Sequence, residues 1–227
     1  MTLRAVLFDA GNTLLFLDYP RLARGVAEAT GVPLSGAALE AKAGPAALAL
    51  ERADTTDRER AGRYLETLFR LAGVPDSSMA VVRDTLLGLH REKHLWASVK
   101  AGTIEALERL RTTGYRLAVV SNSDGRAVEG LAAAGLLAHF EAVIDSELIG
   151  CEKPDPRIFL TALERMGLSP VEALYVGDIY EVDVVGARRA GMDVILLDPL
   201  GTHRGRDVRV AASLAEVVEM ILTVPNT

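Results

Sequence analysis

The chain has 227 residues, 49% of them hydrophobic and 25% charged, an ordinary globular composition that excludes general disorder and suits one large domain or a domain with an insert. Its formal charge of −6, from 25 Lys and Arg against 31 Asp and Glu, argues against a nucleic-acid surface. No apolar run reaches the roughly 18 residues of a membrane span, Asp9 comes too early for a signal peptide, and the single Cys151 allows neither an intrachain disulfide nor a thiolate metal cage; a cytoplasmic protein is the expectation.

In chain order, LRAVLF (Leu3 to Phe8) reads as a buried strand ending in Asp-Ala-Gly-Asn. From about Phe16 to Ala97 there is no clear strand. Apolar spacing predicts four helices there, Pro20–Thr30, Gly36–Glu51, Thr56–Leu71 and Ser78–His94, jointed at Gly31, Pro33, Gly73 and Pro75. Beyond this block strands and helices alternate. The strands are Tyr115–Val120, EAVID around Val143, Ala173–Gly177 and Asp193–Leu197. The helices are about Gly102–Thr113, Gly125–Ala134, Pro156–Met166 and Glu181–Ala190, with glycine stops at 114, 135, 167 and 191. The tail reads as a short edge strand and a closing helix. Such alternation implies an α/β fold, a parallel sheet covered by helices on both faces, with the helical block inserted after strand one.

In open parallel sheets ligands bind beyond the carboxyl ends of the strands. Asp9, Ser121 and Asp178 all sit just past predicted strands. Asp9 is a candidate nucleophile or metal ligand, Gly11 is expected to let its loop turn sharply, and Asn12 would make a turn or ligand contact. Ser121 and Asn122 offer a hydroxyl and an adjacent N–H to an anionic oxygen, or simply lead into the cap of the next helix. Lys153, in C-E-K-P-D-P, is one of four Lys in a chain with 21 Arg and could neutralise an anionic site or be a solvated loop charge. Asp178 and Asp183, in G-D-I-Y-E-V-D, can meet at an oxygen-lined site suited to Mg²⁺, or one of them can line a helix start.

In this order and spacing the motifs FDAGNTL, SNS at 121–123, EKPDP and GDIYEVD resemble the haloacid dehalogenase superfamily, in its phosphatase-like branch with a helical cap after the first strand. The resemblance covers nearly the whole chain. It implies a Rossmann-like core over residues 1–15 and 98–227 and a helical cap over 16–97. It also implies that Asp9 is the nucleophile, that Ser121 holds the transferred phosphoryl group, and that Lys153 balances its charge. Asp9, Asp178, Asp183 and the Gly11 carbonyl would hold Mg²⁺, Asp183 often through water. Asn12 and Asn122 join Ser121 and Lys153 as expected substrate contacts.

One departure matters. Phosphatases of the family usually carry a second Asp two residues after the nucleophile, which protonates the leaving group and then assists water. Here that position is Gly11, and the amide of Asn12 is no general acid. The expectation is a Mg²⁺-dependent phosphatase of a small phosphorylated metabolite, weakened at this step, acting as a monomer or homodimer without a nucleic-acid or membrane partner. A non-catalytic phosphate-binding protein, a phosphonatase using Lys42, and a 2-haloacid dehalogenase are the alternatives. The cap would close over the sheet edge and select the substrate. Its polar inventory includes Tyr19, Arg52, Arg63, His90, Arg91, Lys93 and His94. His90 and His94 have the i,i+4 spacing of a metal pair or of a solvated helix face.

Overall fold

The computed structural model of the chain describes residues 2–50, 57–203 and 205–223. Two compact units emerge, one from Met1–Phe16 with Ser98–Thr227, the other from Leu17–Ala97.

The first unit is a six-stranded parallel sheet. In chain order its strands are β1 (Ala5–Phe8), β4 (Arg116–Ser121), β5 (Ala142–Asp145), β6 (Ala173–Gly177), β7 (Asp193–Leu197) and β8 (Arg209–Ala211), arranged as β5-β4-β1-β6-β7-β8. Its helices are α5 (Thr103–Thr112), α6 (Ala127–Ala133), α7 (Ser146–Ile149), α8 (Pro156–Met166), α9 (Val185–Arg189) and α10 (Leu214–Thr223). The central strands are buried throughout, as near-continuous apolar runs require when both sheet faces are covered. Leu7, Val120, Ile144, Phe159, Tyr175 and Leu196 belong to one contiguous core.

The second unit is helical: α1 (Tyr19–Thr30), α2 (Gly36–Leu50), α3 (Asp57–Leu71) and α4 (Met79–Glu92). Leu22, Val26, Leu39, Leu68, Phe69 and Val82 form its own core. The predicted helix residues Glu51 and Thr56, and Arg52, lie outside the described residues. A two-stranded ribbon, β2 (Phe16–Leu17) with β3 (Trp96–Ser98), stands where no strand is expected from the sequence. Strands of two and three residues are too short to show a period. Among the described residues no helix is long and apolar enough to cross a membrane.

Two local rules explain the cleanest boundaries. Helix α8 starts where Asp155 accepts from the Arg157 amide and Pro156 supplies a helix-ready φ, and it ends on left-handed Gly167. The predicted helix Glu181–Ala190 departs from expectation: its first turn is π-helical over Tyr180–Val184, and only Val185–Arg189 is α-helical.

Candidate active site

The sheet order brings three predicted residues together. β4, β1 and β6 are adjacent, with Phe8 opposite Val119 on one side and Val176 on the other. Asp9 follows Phe8 and extends the ladder by donating its N–H to the Val176 carbonyl at 2.8 Å. Ser121 ends β4 and Asp178 follows β6, so the three lie at the carboxyl ends of neighbouring strands. Asp9 and Ser121 are buried and Asp178 is half-buried.

The Asp9 loop closes on itself. Leu14 and Leu15 donate to the Ala10 carbonyl at 2.9 and 2.8 Å, and Asn12 donates to the Leu15 carbonyl at 2.7 Å. The left-handed residue of this turn is Asn12, with φ of 53°, and Gly11 does not share that conformation. The expectation that Gly11 makes the sharp turn is therefore corrected: Asn tolerates that region better than other side chains, and it carries the turn. The Gly11 carbonyl accepts none of the loop's backbone hydrogen bonds.

Lys153 is the centre of the cluster. Its ammonium is buried and donates to Asp9 Oδ1 at 2.5 Å, Asp183 Oδ1 at 2.8 Å and the Tyr175 hydroxyl at 3.0 Å. Burial opposes its charge, but the Asp183 and Asp9 carboxylates outweigh that and hold its pKa well above the usual lysine value. Burial likewise pushes the Tyr175 phenol well above 10.0, although Lys153 pulls it down. Tyr175 therefore stays a neutral donor, reaching the Val120 carbonyl at 3.1 Å or Asp183 Oδ1 at 3.2 Å.

The backbone of Lys153 is fixed as firmly as its head. Asn122 Oδ1 accepts from Lys153 N at 2.7 Å, and Asn122 Nδ2 donates to Lys153 O at 3.1 Å. The Asn122 carboxamide, expected to meet substrate, thus engages a neighbouring loop at both ends. Asp183 is likewise engaged: besides Lys153 and Tyr175 at Oδ1, its Oδ2 accepts from the Asp178 and Ile179 amides at 3.1 and 2.9 Å. Gly177 permits that approach, because a Cβ there would lie 2.3 Å from Asp183 Cγ.

Three further residues shape the site without a sequence signal strong enough to find them. Tyr175 is one polar group in an apolar strand. Asp145, the register partner of Ser121, accepts from the Gly125, Ala127 and Glu147 amides at 3.1, 3.0 and 3.1 Å. One buried carboxylate thereby caps both α6 and α7. Thr13 is fully buried, and its hydroxyl has no hydrogen-bond partner among the described residues. In the helical unit, the His90 and His94 rings meet edge-on with centroids 4.8 Å apart.

This geometry coincides with one family. The haloacid dehalogenase-like hydrolase family matches residues 3–191. The chain belongs to the haloacid dehalogenase-like hydrolases. It is 44% identical over 130 residues to haloacid dehalogenase-like hydrolase domain-containing protein 3 of Mus musculus, a match covering 57% of this chain and 51% of that protein. The chain thus spans about half the length of that relative. It is 32% identical to phosphoglycolate phosphatase of Nitrosospira multiformis, across 97% of this chain and 96% of that one. The crystal structure of a HAD phosphatase from Thermococcus onnurineus is similar at 28% identity with a TM-score of 0.62, covering 99% of this chain and 100% of that one. The parallel sheet and helical insert are this family's architecture.

Proposed function

We propose that this hydrolase is a Mg²⁺-dependent phosphatase of a small phosphorylated metabolite, working through a phosphoryl group carried on Asp9. The observation that carries this reading is the buried Asp9–Lys153–Asp183 chain, one ammonium between two carboxylates at a strand-end edge. Lys153 holds Asp9 in one orientation. Attack by the Asp9 carboxylate forms the phosphorus–oxygen bond while the ester oxygen leaves with its bonding pair. Ser121, ending β4 beside Asp9, offers its hydroxyl to a phosphoryl oxygen, and the Asn122 backbone N–H joins it. Water then hydrolyses the acyl phosphate and regenerates Asp9.

The donor set fits a hard dication. Asp9, Asp178 and the Gly11 carbonyl are all oxygen donors, and two buried carboxylates share the single Lys153 charge. Mg²⁺ bound there would supply charge neutralisation at the phosphoryl oxygens. Asp183, filled by four protein donors, supports the set by fixing the Asp178 backbone. Gly11 leaves the leaving-group proton without a carboxyl donor, so the reading favours esters whose oxygen departs unaided. The phosphoglycolate phosphatase relative, similar over nearly its full length, makes short phosphorylated carboxylates the first substrate class to screen. A cytoplasmic setting suits such a substrate.

The alternatives lack a comparable observation. Lys42, the candidate Schiff-base lysine, is exposed on α2. Displacement at carbon would give the Asp178 turn no task. The test is hydrolysis of p-nitrophenyl phosphate with Mg²⁺ and with excess chelator, run on wild type and Asp9→Asn. Mg²⁺-dependent release abolished in Asp9→Asn is expected. Release that survives either the chelator or the substitution overturns the reading.

A further inference from the structure

We propose that the loop after β7 is a strap that holds the Asp178–Asp183 turn in its cation-ready form, with His203 and Arg206 as positioning residues. The proposal rests on the Mg²⁺ site of the proposed phosphatase. Asp198, buried just past β7, closes the strap. Its Oδ1 accepts from Thr202 N at 3.0 Å and Thr202 Oγ1 at 3.1 Å, and its Oδ2 accepts from His203 N at 2.8 Å. Burial pushes the Asp198 carboxyl up, but the His203 and Thr202 donors outweigh it and hold it below the usual carboxylate range. The closure therefore persists at neutral pH. Thr202 Oγ1 also lies 2.9 Å from His203 Nδ1, which fixes the ring about its own axis.

The strap grips the segment between the two motif carboxylates. The His203 ring is parallel to that of Tyr180 within 4°, with centroids 6.1 Å apart. The Arg206 guanidinium lies 4.3 Å over the Tyr180 ring, and its NH1 is 3.3 Å from Glu181 Oε1. Tyr180 and Glu181 open the π-helical turn Tyr180–Val184 that carries Asp183. π-Turns are rare and occur mostly as single turns at functional sites. Relaxation to an α-turn would take one residue out of the turn and rotate the downstream residues by about 100°. Asp183 would then lose its register with the Asp178 and Ile179 amides. Contacts on Tyr180 and Glu181 from a separately closed loop oppose that relaxation, and neither Tyr180 nor Glu181 contributes a ligand.

The experiment is calorimetric Mg²⁺ titration of the full chain as wild type, His203→Ala, His203→Phe and Arg206→Ala, with melting temperatures taken in chelator. Partners one shell behind a metal typically change affinity by about 10–100-fold when removed, and His203 and Arg206, one contact further out, should act at the low end of that range. His203→Ala and Arg206→Ala are expected to weaken Mg²⁺ about 10-fold at little cost in metal-free melting temperature. His203→Phe, which keeps a stacking ring, is expected to stay near wild type. Arg206 is exposed, so its variant carries the test if His203→Ala fails to fold. Wild-type Mg²⁺ affinity in Arg206→Ala and in every folded His203 variant overturns the strap alone. Absence of Mg²⁺ binding in wild type overturns the strap and the metal site together. Strap-dependent Mg²⁺ binding in a chain that hydrolyses no phosphate ester keeps the strap and overturns the phosphatase reading.

Discussion

Asn122 and Lys153 are joined by two hydrogen bonds between one carboxamide and the backbone N–H and C=O of one residue, at 2.7 and 3.1 Å. The clasp ties the loop after β4 to the segment before α8. It sets the root of the lysine whose head reaches Asp9, Asp183 and Tyr175. Position and charge at this site therefore come from different residues.

Asn122→Ala removes the clasp and leaves the Lys153 N–H and C=O without those partners. A buried amide so abandoned costs about 1–3 kcal/mol. Denaturant unfolding is expected to report a loss of that size, and aryl phosphate turnover to fall with it. Unchanged stability would mean that water or another group replaces the carboxamide at no cost.

Gly177→Ala sets a methyl group 2.3 Å from Asp183 Cγ. Asp183 must move, which breaks its bonds to the Asp178 and Ile179 amides. Overpacking of this kind costs typically about 1–3 kcal/mol. The expected outcome is a lower melting temperature together with weaker Mg²⁺ binding by calorimetry. A fully stable variant with wild-type Mg²⁺ affinity would contradict the role given to Asp183.

Alkaline pH should act through Lys153 and Tyr175. Both have folded pKa values raised above their ordinary 10.5 and 10.0. The folded state thus keeps protons that the unfolded chain releases first. Their contribution is complete below about pH 10 and is lost as pH rises through the folded values. Unfolding free energy measured from pH 8 upward should hold level and then decline beyond about pH 10. Tyr175→Phe should show a shallower decline. An identical slope in that variant would assign the alkaline loss elsewhere.

Much of this was legible in the sequence, for reasons that differ by residue. Strands Ala173–Gly177 and Asp193–Leu197 and helix Pro156–Met166 are bounded as expected, because apolar runs and local caps are written within a few residues. The strand-end positions of Asp9, Ser121 and Asp178 were legible from the runs before them, and Lys153 stood out as an isolated charge. Their partners were not. Tyr175 and Asp145 act across strands, and the direction of the Asn122 amide is decided by a backbone 31 residues away. The π-turn at Tyr180–Val184 reads in sequence as ordinary helix, since its cause lies in tertiary contacts.

Gly11→Asp tests the missing proton donor. Gly11 does not occupy the left-handed region, so an aspartate there meets no backbone penalty of that kind. General acid–base help is worth typically 10²–10⁴-fold. kcat/KM, which reports the step in which the ester oxygen leaves, should rise about 100-fold for an alkyl phosphate and much less for an aryl phosphate. Circular dichroism would check that the variant is folded. Equal gains in kcat/KM on both substrates, or none in a folded variant, would contradict the account of position 11 as a missing proton donor.

The most direct measurement is acid quenching during p-nitrophenyl phosphate turnover, followed by peptide mass mapping. Without a carboxyl at position 11, water attack on the acyl phosphate is slow, so the intermediate should accumulate after a burst of nitrophenol. The account predicts one phosphoryl group on the peptide containing Asp9, absent in Asp9→Asn. Steady turnover with no phosphorylated peptide at any quench time, or phosphorylation that persists in Asp9→Asn, would contradict it.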